Sequence, residues 1–148
     1  MKLISFRLFL FVFAIIFSSC KTNQFNKAGK RHGRWEFADT LGTQVYKYGG
    51  RYKNGIEHGK WKYYLGGKIA RKEKYRHNIS YNQFFHENGK VSSQGKSQLD
   101  VSAAEIHWYY FGDWEYFDED GKPTMVKTFE NGKQTNVRKI GPATQATR

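Results

Sequence analysis

From Arg31 onward, apolar and polar residues alternate in short runs divided by glycine-containing pairs. In "RWEF" Trp35 and Phe37 fall on one side and Glu36 on the other. In "KWKYY" Trp61 and Tyr63 oppose Lys62 and Tyr64, and "YKYGGRY" aligns Tyr46, Tyr48, Gly50 and Tyr52. A period of two is the period of a strand. Between the runs stand Gly66–Gly67, Asn88–Gly89, Asp120–Gly121 and Asn131–Gly132. Such pairs supply the positive φ angles that tight hairpin turns require. The pattern predicts an all-β chain, an extended single-layer antiparallel meander of repeated hairpins. One stretch departs from it: "SQLDVSAAEIHW", residues 97–108, reads as a short helix or as a loop leading into a strand, and is expected to be an insert.

The hairpins repeat. "HGRWEF" at His32 returns as "HGKWKYY" at His58 and as "FGDWEYF" at Phe111. Trp35 to Trp61 is 26 positions and Gly67 to Gly89 is 22, periods that belong to a stacked array. A weaker unit, Tyr81–Lys96, has Tyr81 in the glycine slot and Phe84 near the tryptophan slot. A lone hairpin is marginal in water, so each unit must shelter its rings under the next. Trp35, Trp61, Phe84 and Trp114 are therefore expected to form a ladder along one face, flanked by Phe37, Tyr63 and Tyr116. Gly33, Gly59 and Gly112 are expected to be small because a ring lies on each. The same aromatic positions are the candidate binding face; core packing is the favoured reading of them.

The first twenty residues follow other rules. Lys2 and Arg7 precede an unbroken apolar run, Leu8 to Phe17, which ends in Ser18, Ser19 and Cys20. The run is shorter than the roughly 20 residues of a bilayer-spanning helix. A charged start, apolar middle and small-residue end have the layout of an export signal, expected here as an N-terminal signal helix over residues 1–19. "FSSC" resembles the lipobox of bacterial lipoproteins. That resemblance implies a diacylglyceryl group on the Cys20 thiol, acyl chains of the palmitate kind and a membrane anchor. Cys20 is the chain's single cysteine, which leaves no intrachain disulfide and no thiolate zinc site.

Charge narrows the partners. Lysine and arginine number 25 against 13 acidic residues, a net charge of +12. With an export signal in place, nucleic acid is not the expected partner. An anionic lipid or an acidic polysaccharide remains, and so does the plainer reading that lysines solvate the faces and edges of the sheet. Catalytic and metal signals are weak. His32 and His58 occupy equivalent repeat positions with no recurring third ligand, so a turn role is expected and no metal. "DEDG" at Asp118–Gly121 has the opening of a calcium loop but not its later acidic ligand, and reads as a hairpin turn. His107, Asp113 and Glu115 lie close in sequence, on a strand that should turn them to alternate faces. No enzyme activity and no cofactor are expected.

The residues "HGRWEF", "YKNGIEHGKWKYY", "FFHENGK" and "GDWEYFDEDGK" through "TFENGK" resemble the MORN repeat family. The closer resemblance is to its variant in bacterial envelope proteins and in proteins labelled as antitoxins. It implies an elongated twisted sheet and a non-enzymatic role as a scaffold or protein-binding module, with an antitoxin or immunity-like binder as the alternative. The expected organisation is a signal peptide at 1–19, a tether at 20–28, the repeat domain at 29–135 with its insert at 97–108, and a disordered tail at 136–148. With no acidic run after Cys20, the expected location is the periplasmic face of the outer membrane.

Overall fold

The computed structural model describes residues 21–100 and 107–141, so the expected signal segment and Cys20 lie outside the described residues. Ten strands form one antiparallel sheet in strict chain order. They are β1 (Gln24–Phe25), β2 (Arg31–Leu41), β3 (Gln44–Lys53), β4 (Ile56–Leu65) and β5 (Lys68–Arg76). There follow β6 (Ile79–Phe85), β7 (Val91–Asp100), β8 (His107–Phe117), β9 (Pro123–Glu130) and β10 (Lys133–Lys139). The meander inferred from alternation is the observed architecture.

Two kinds of turn recur, beside the Gly42–Thr43 and His77–Asn78 turns, in which only the first residue has positive φ. Asn54–Gly55, Gly66–Gly67 and Asn131–Gly132 take positive φ at both residues, as a two-residue turn matched to strand twist demands. The other kind is a longer loop that occurs three times, as "NKAGK" at 26–30, "HENGK" at 86–90 and "DEDGK" at 118–122. In each, the first backbone N–H donates to the last carbonyl, and the glycine N–H donates to the first carbonyl. Asp118 Oδ1 accepts the N–H groups of Asp120 and Lys122, as Asn26 Oδ1 does those of Ala28 and Lys30. Asp118 therefore serves its own turn.

Three expected boundaries move. Ser97–Asp100 complete β7 and His107–Trp108 open β8, paired Leu99 with Trp108 and Asp100 with His107. The stretch read as an insert thus begins and ends as an extended hairpin. Gln24–Phe25, within the expected tether, pair with Arg31 and His32. Asn136–Lys139, within the expected tail, pair along β9, where every β10 side chain is exposed. Alternation is weak in both end segments because neither buries a face.

The rings gather on one face. Trp35, Tyr52, Trp61, Tyr63 and Tyr75 make a continuous core, with Phe37, Tyr46, Tyr48 and Trp108 packed against it. A second group joins Phe84, Tyr110, Trp114 and Phe129, with Tyr110 stacked 4.0 Å from Trp114. Trp61 is 2% exposed and Trp114 1%, low values for a single-layer sheet.

Candidate functional site

The burial of the tryptophans comes from one repeated device. Opposite β3, the register jumps so that Gly59, Lys60 and Trp61 all face Gly50. Opposite β7, Gly112, Asp113 and Trp114 face Gly95 in the same way. The bulge lays each ring flat on the glycine across from it: a Cβ on Gly50 would stand inside the Trp61 ring, and one on Gly95 inside Trp114. The indole N–H then donates to the next carbonyl, Trp61 to Arg51 at 3.1 Å and Trp114 to Lys96 at 3.0 Å. Trp35 repeats the arrangement, donating to Gln24 at 3.1 Å, with Asn23 (φ 58) in the place of the covered glycine.

This corrects the expectation for Gly33, Gly59 and Gly112. Nothing lies within 4 Å of a Cβ built on any of them; they are glycines because the bulge holds φ at 77°, 69° and 66°. The covered glycines are Gly50 and Gly95, on the preceding strand, and only the cross-strand register shows it.

The predicted ladder is also interrupted. Between β5 and β6 the pairing is regular, with Glu73 opposite Asn82 and Arg71 opposite Phe84. Asn82 therefore takes the tryptophan position, and Phe84 joins the row of Tyr63 and Tyr116. The exchange creates a buried polar cluster. Tyr63 and Tyr75 both donate to Glu73 Oε2 at 2.6 Å, and Arg71 lies 3.4 Å from Oε1 with its guanidinium 3.7 Å over the Tyr63 ring. Burial, reinforced by the adjacent Glu73 carboxylate, raises both tyrosine hydroxyls above their usual range. Asn82 joins Ser80 and Ser97 by hydrogen bonds of 2.9 and 3.0 Å. The Glu73 carboxylate and the Asn82 amide are buried and bound to their neighbours, so the chemistry of the cluster is largely internal.

Of the residues expected to carry the repeat and the binding face, Trp35, Trp61, Tyr63 and Trp114 are buried, and Phe84 and Tyr116 are half-buried. They are held against neighbouring rings and present little surface to a ligand. His32 and His58 stand just before the bulge glycines, opposite Gln24 and Arg51. Among the described residues no three His, Cys, Asp or Glu side chains are grouped to hold a metal. Asp113 and Glu115, expected on alternate faces with His107, share a face, and each has a partner, Thr128 and Gln94.

The opposite face is the open one. Two rows of side chains cross the strands there, with the backbone of Trp61, Glu73, Asn82 and Gly95 between them as a floor. One row runs Lys60, Lys74, Tyr81, Lys96; the other runs Lys62, Lys72, Gln83, Gln94. They bound a groove of about 530 Å³ that continues through Lys60 and Lys62 into a wider one of about 900 Å³ over β2–β4. Lys60 opposes Lys74 and Lys62 opposes Lys72, like charges set directly across from each other. Alternation makes these lysines visible in the sequence; their pairing into a groove depends on the register.

No family model matches the chain, and no curated protein does. A solved structure described as the GtfA/B complex is similar over 76% of this chain and 20% of that one, at 12% identity and a TM-score of 0.25. A likeness at that level carries no argument about fold or activity.

Proposed function

We propose that this chain is a membrane-anchored, non-enzymatic repeat lipoprotein of the bacterial envelope, a MORN-like sheet held on the membrane by Cys20 and acting as a scaffold or binding module. The observation that carries the binding role is the division of labour between the faces. Packing occupies the rings, and the exposed lysine face is left for contact. Support for the anchor comes from the "FSSC" segment and the apolar run before it. Two acyl chains hold a protein on a bilayer where a single one does so only marginally.

The test is expression of the full chain in a Gram-negative host fed labelled palmitate, beside Cys20→Ala. The expected result is label and membrane retention for the native chain and loss of both in the variant. An unlabelled native chain, or retention unchanged by the substitution, would overturn the anchor. The groove favours a second reading, in which the ligand itself is anionic.

A further inference from the structure

We propose that the groove between the two side-chain rows over β4–β7 is a binding site for a short stretch of acidic polysaccharide lying across the strands. The proposal deepens the binding reading above and rests on it only for the statement that the lysine face is the contact face.

The first argument is electrostatic. Directly opposed like charges on a sheet destabilise it, yet Lys60–Lys74 and Lys62–Lys72 set four lysines in a square on two adjacent strands, the Lys72 ammonium 4.7 Å over the Phe85 ring, with Lys96 two strands further on. None of these five has an ion-pair partner among the described residues; the ion pairs there are Arg34–Glu36 and Arg71–Glu73. Of the acidic residues of this face, Asp113 and Glu115 line the groove at its β8 end, and Glu36 lies on β2, beyond β3. Glu36 is bound to Arg34 at 2.6 Å, and Glu115 accepts from Gln94 at 2.7 Å. A concentration of positive charge without ion-pair partners, closed by carboxylates at its β8 end, fits an anionic ligand. Strands lie about 4.8 Å apart, so the three intervals from β4 to β7 give a cationic track of roughly 14 Å.

The second argument is the chemistry interleaved with the charge. Tyr81 is 46% exposed, with the Lys96 ammonium 5.7 Å from its ring. Its exposed ring can stack on the apolar face of a pyranose. Gln83 and Gln94, linked to each other at 3.2 Å, offer amide groups for sugar hydroxyls. A phospholipid surface needs neither ring nor amide and is too flat to reach a floor of backbone between two walls. A single-stranded nucleic acid would require a succession of stacking platforms; this groove holds one.

The experiment uses the full chain in detergent with Cys20 intact and measures binding of polygalacturonate. Neutral dextran, phosphatidylglycerol vesicles and a dT oligonucleotide serve as competitors. Two double variants are compared, Lys60→Gln with Lys74→Gln in the groove and Lys133→Gln with Lys139→Gln on the β10 edge. The expected result is salt-sensitive binding, weakened tenfold or more by the groove pair and less than twofold by the edge pair. Tyr81→Ala should weaken it without changing its salt dependence. Equal loss in both pairs would reduce the effect to net charge and overturn the site. Absence of binding, or tighter groove-dependent binding of vesicles or oligonucleotide, would overturn the ligand class. None of these outcomes bears on the palmitate test, so the anchor and the groove can fail separately.

Discussion

The β3–β4 and β5–β6 pairs occupy equivalent places in the repeat and solve the same problem differently. In the first, a bulge lets Trp61 lie over Gly50, and apolar contact closes the joint. In the second the bulge is absent, Glu73 stands where the glycine would be, and Asn82 stands where the tryptophan would be. The Glu73 carboxylate in the glycine's place is satisfied by Tyr63 of β4 and Tyr75 of β5, and across the pair itself the Arg71 guanidinium lies over the Phe84 ring. The tryptophan and its bulge are thus one unit: a ring can lie flat only where the strand carries the extra residues that bring it over its neighbour.

The largest effect should come from removing a ring. Trp61→Ala or Trp114→Ala is expected to cost about 3–5 kcal/mol, the usual range for a buried tryptophan, read by denaturant unfolding. A loss under 1 kcal/mol would mean that the rings are not the joint. Gly50→Ala should follow at about 1–3 kcal/mol, because the new methyl overpacks a ring with no free space. An unchanged midpoint would show that the ring can slide off the glycine.

The Glu73 cluster should respond to alkali. Tyr63 and Tyr75 titrate above the ordinary tyrosine value of 10 in the folded chain, first through burial and then through Glu73. Below pH 10 both states keep the proton and the contribution of these hydroxyls is fully present. Above it the unfolded chain releases protons that the folded chain holds, so stability falls by up to about 1.4 kcal/mol per pH unit for each tyrosine. Tyr63→Phe should flatten the alkaline limb of a stability–pH curve; an equally steep limb would place the effect elsewhere. The smallest change is a gain. Lys62→Gln removes one opposed like-charge pair and should stabilise the ligand-free protein by about 0.2–1 kcal/mol at low salt. The gain should shrink as salt screens the charges, and a loss in its place would show that the lysine square is not strained.

The strands and most of the turns were legible in the sequence because alternation and Asn-Gly or Gly-Gly pairs report local geometry. The glycine roles were not. Gly59 and Trp61 share a triplet, so the triplet looks like the contact, whereas the glycine under the ring is eleven positions earlier, at Gly50. A register is a long-range fact that no local pattern records. Phe84 lies outside the tryptophan position for a related reason. Matching "NQFFHENGK" to "WEYFDEDGK" on their shared turn puts Asn82, not Phe84, under Trp114, and the signal was available in the turn. The buried Glu73 cluster left no such trace, since a glutamate between lysines reads as a solvated face until its neighbours are known.

Every strand of the described sheet is bonded only to the strands before and after it in the chain. Such a molecule can assemble by successive closure of short loops, each hairpin laid on the last, without waiting for distant segments to meet. Its order of disassembly should be equally local, from the short β1 and the exposed β10 inward. Exchange of amide hydrogens should then be slowest under Trp61 and Trp114, the two points at which neighbouring hairpins are pinned.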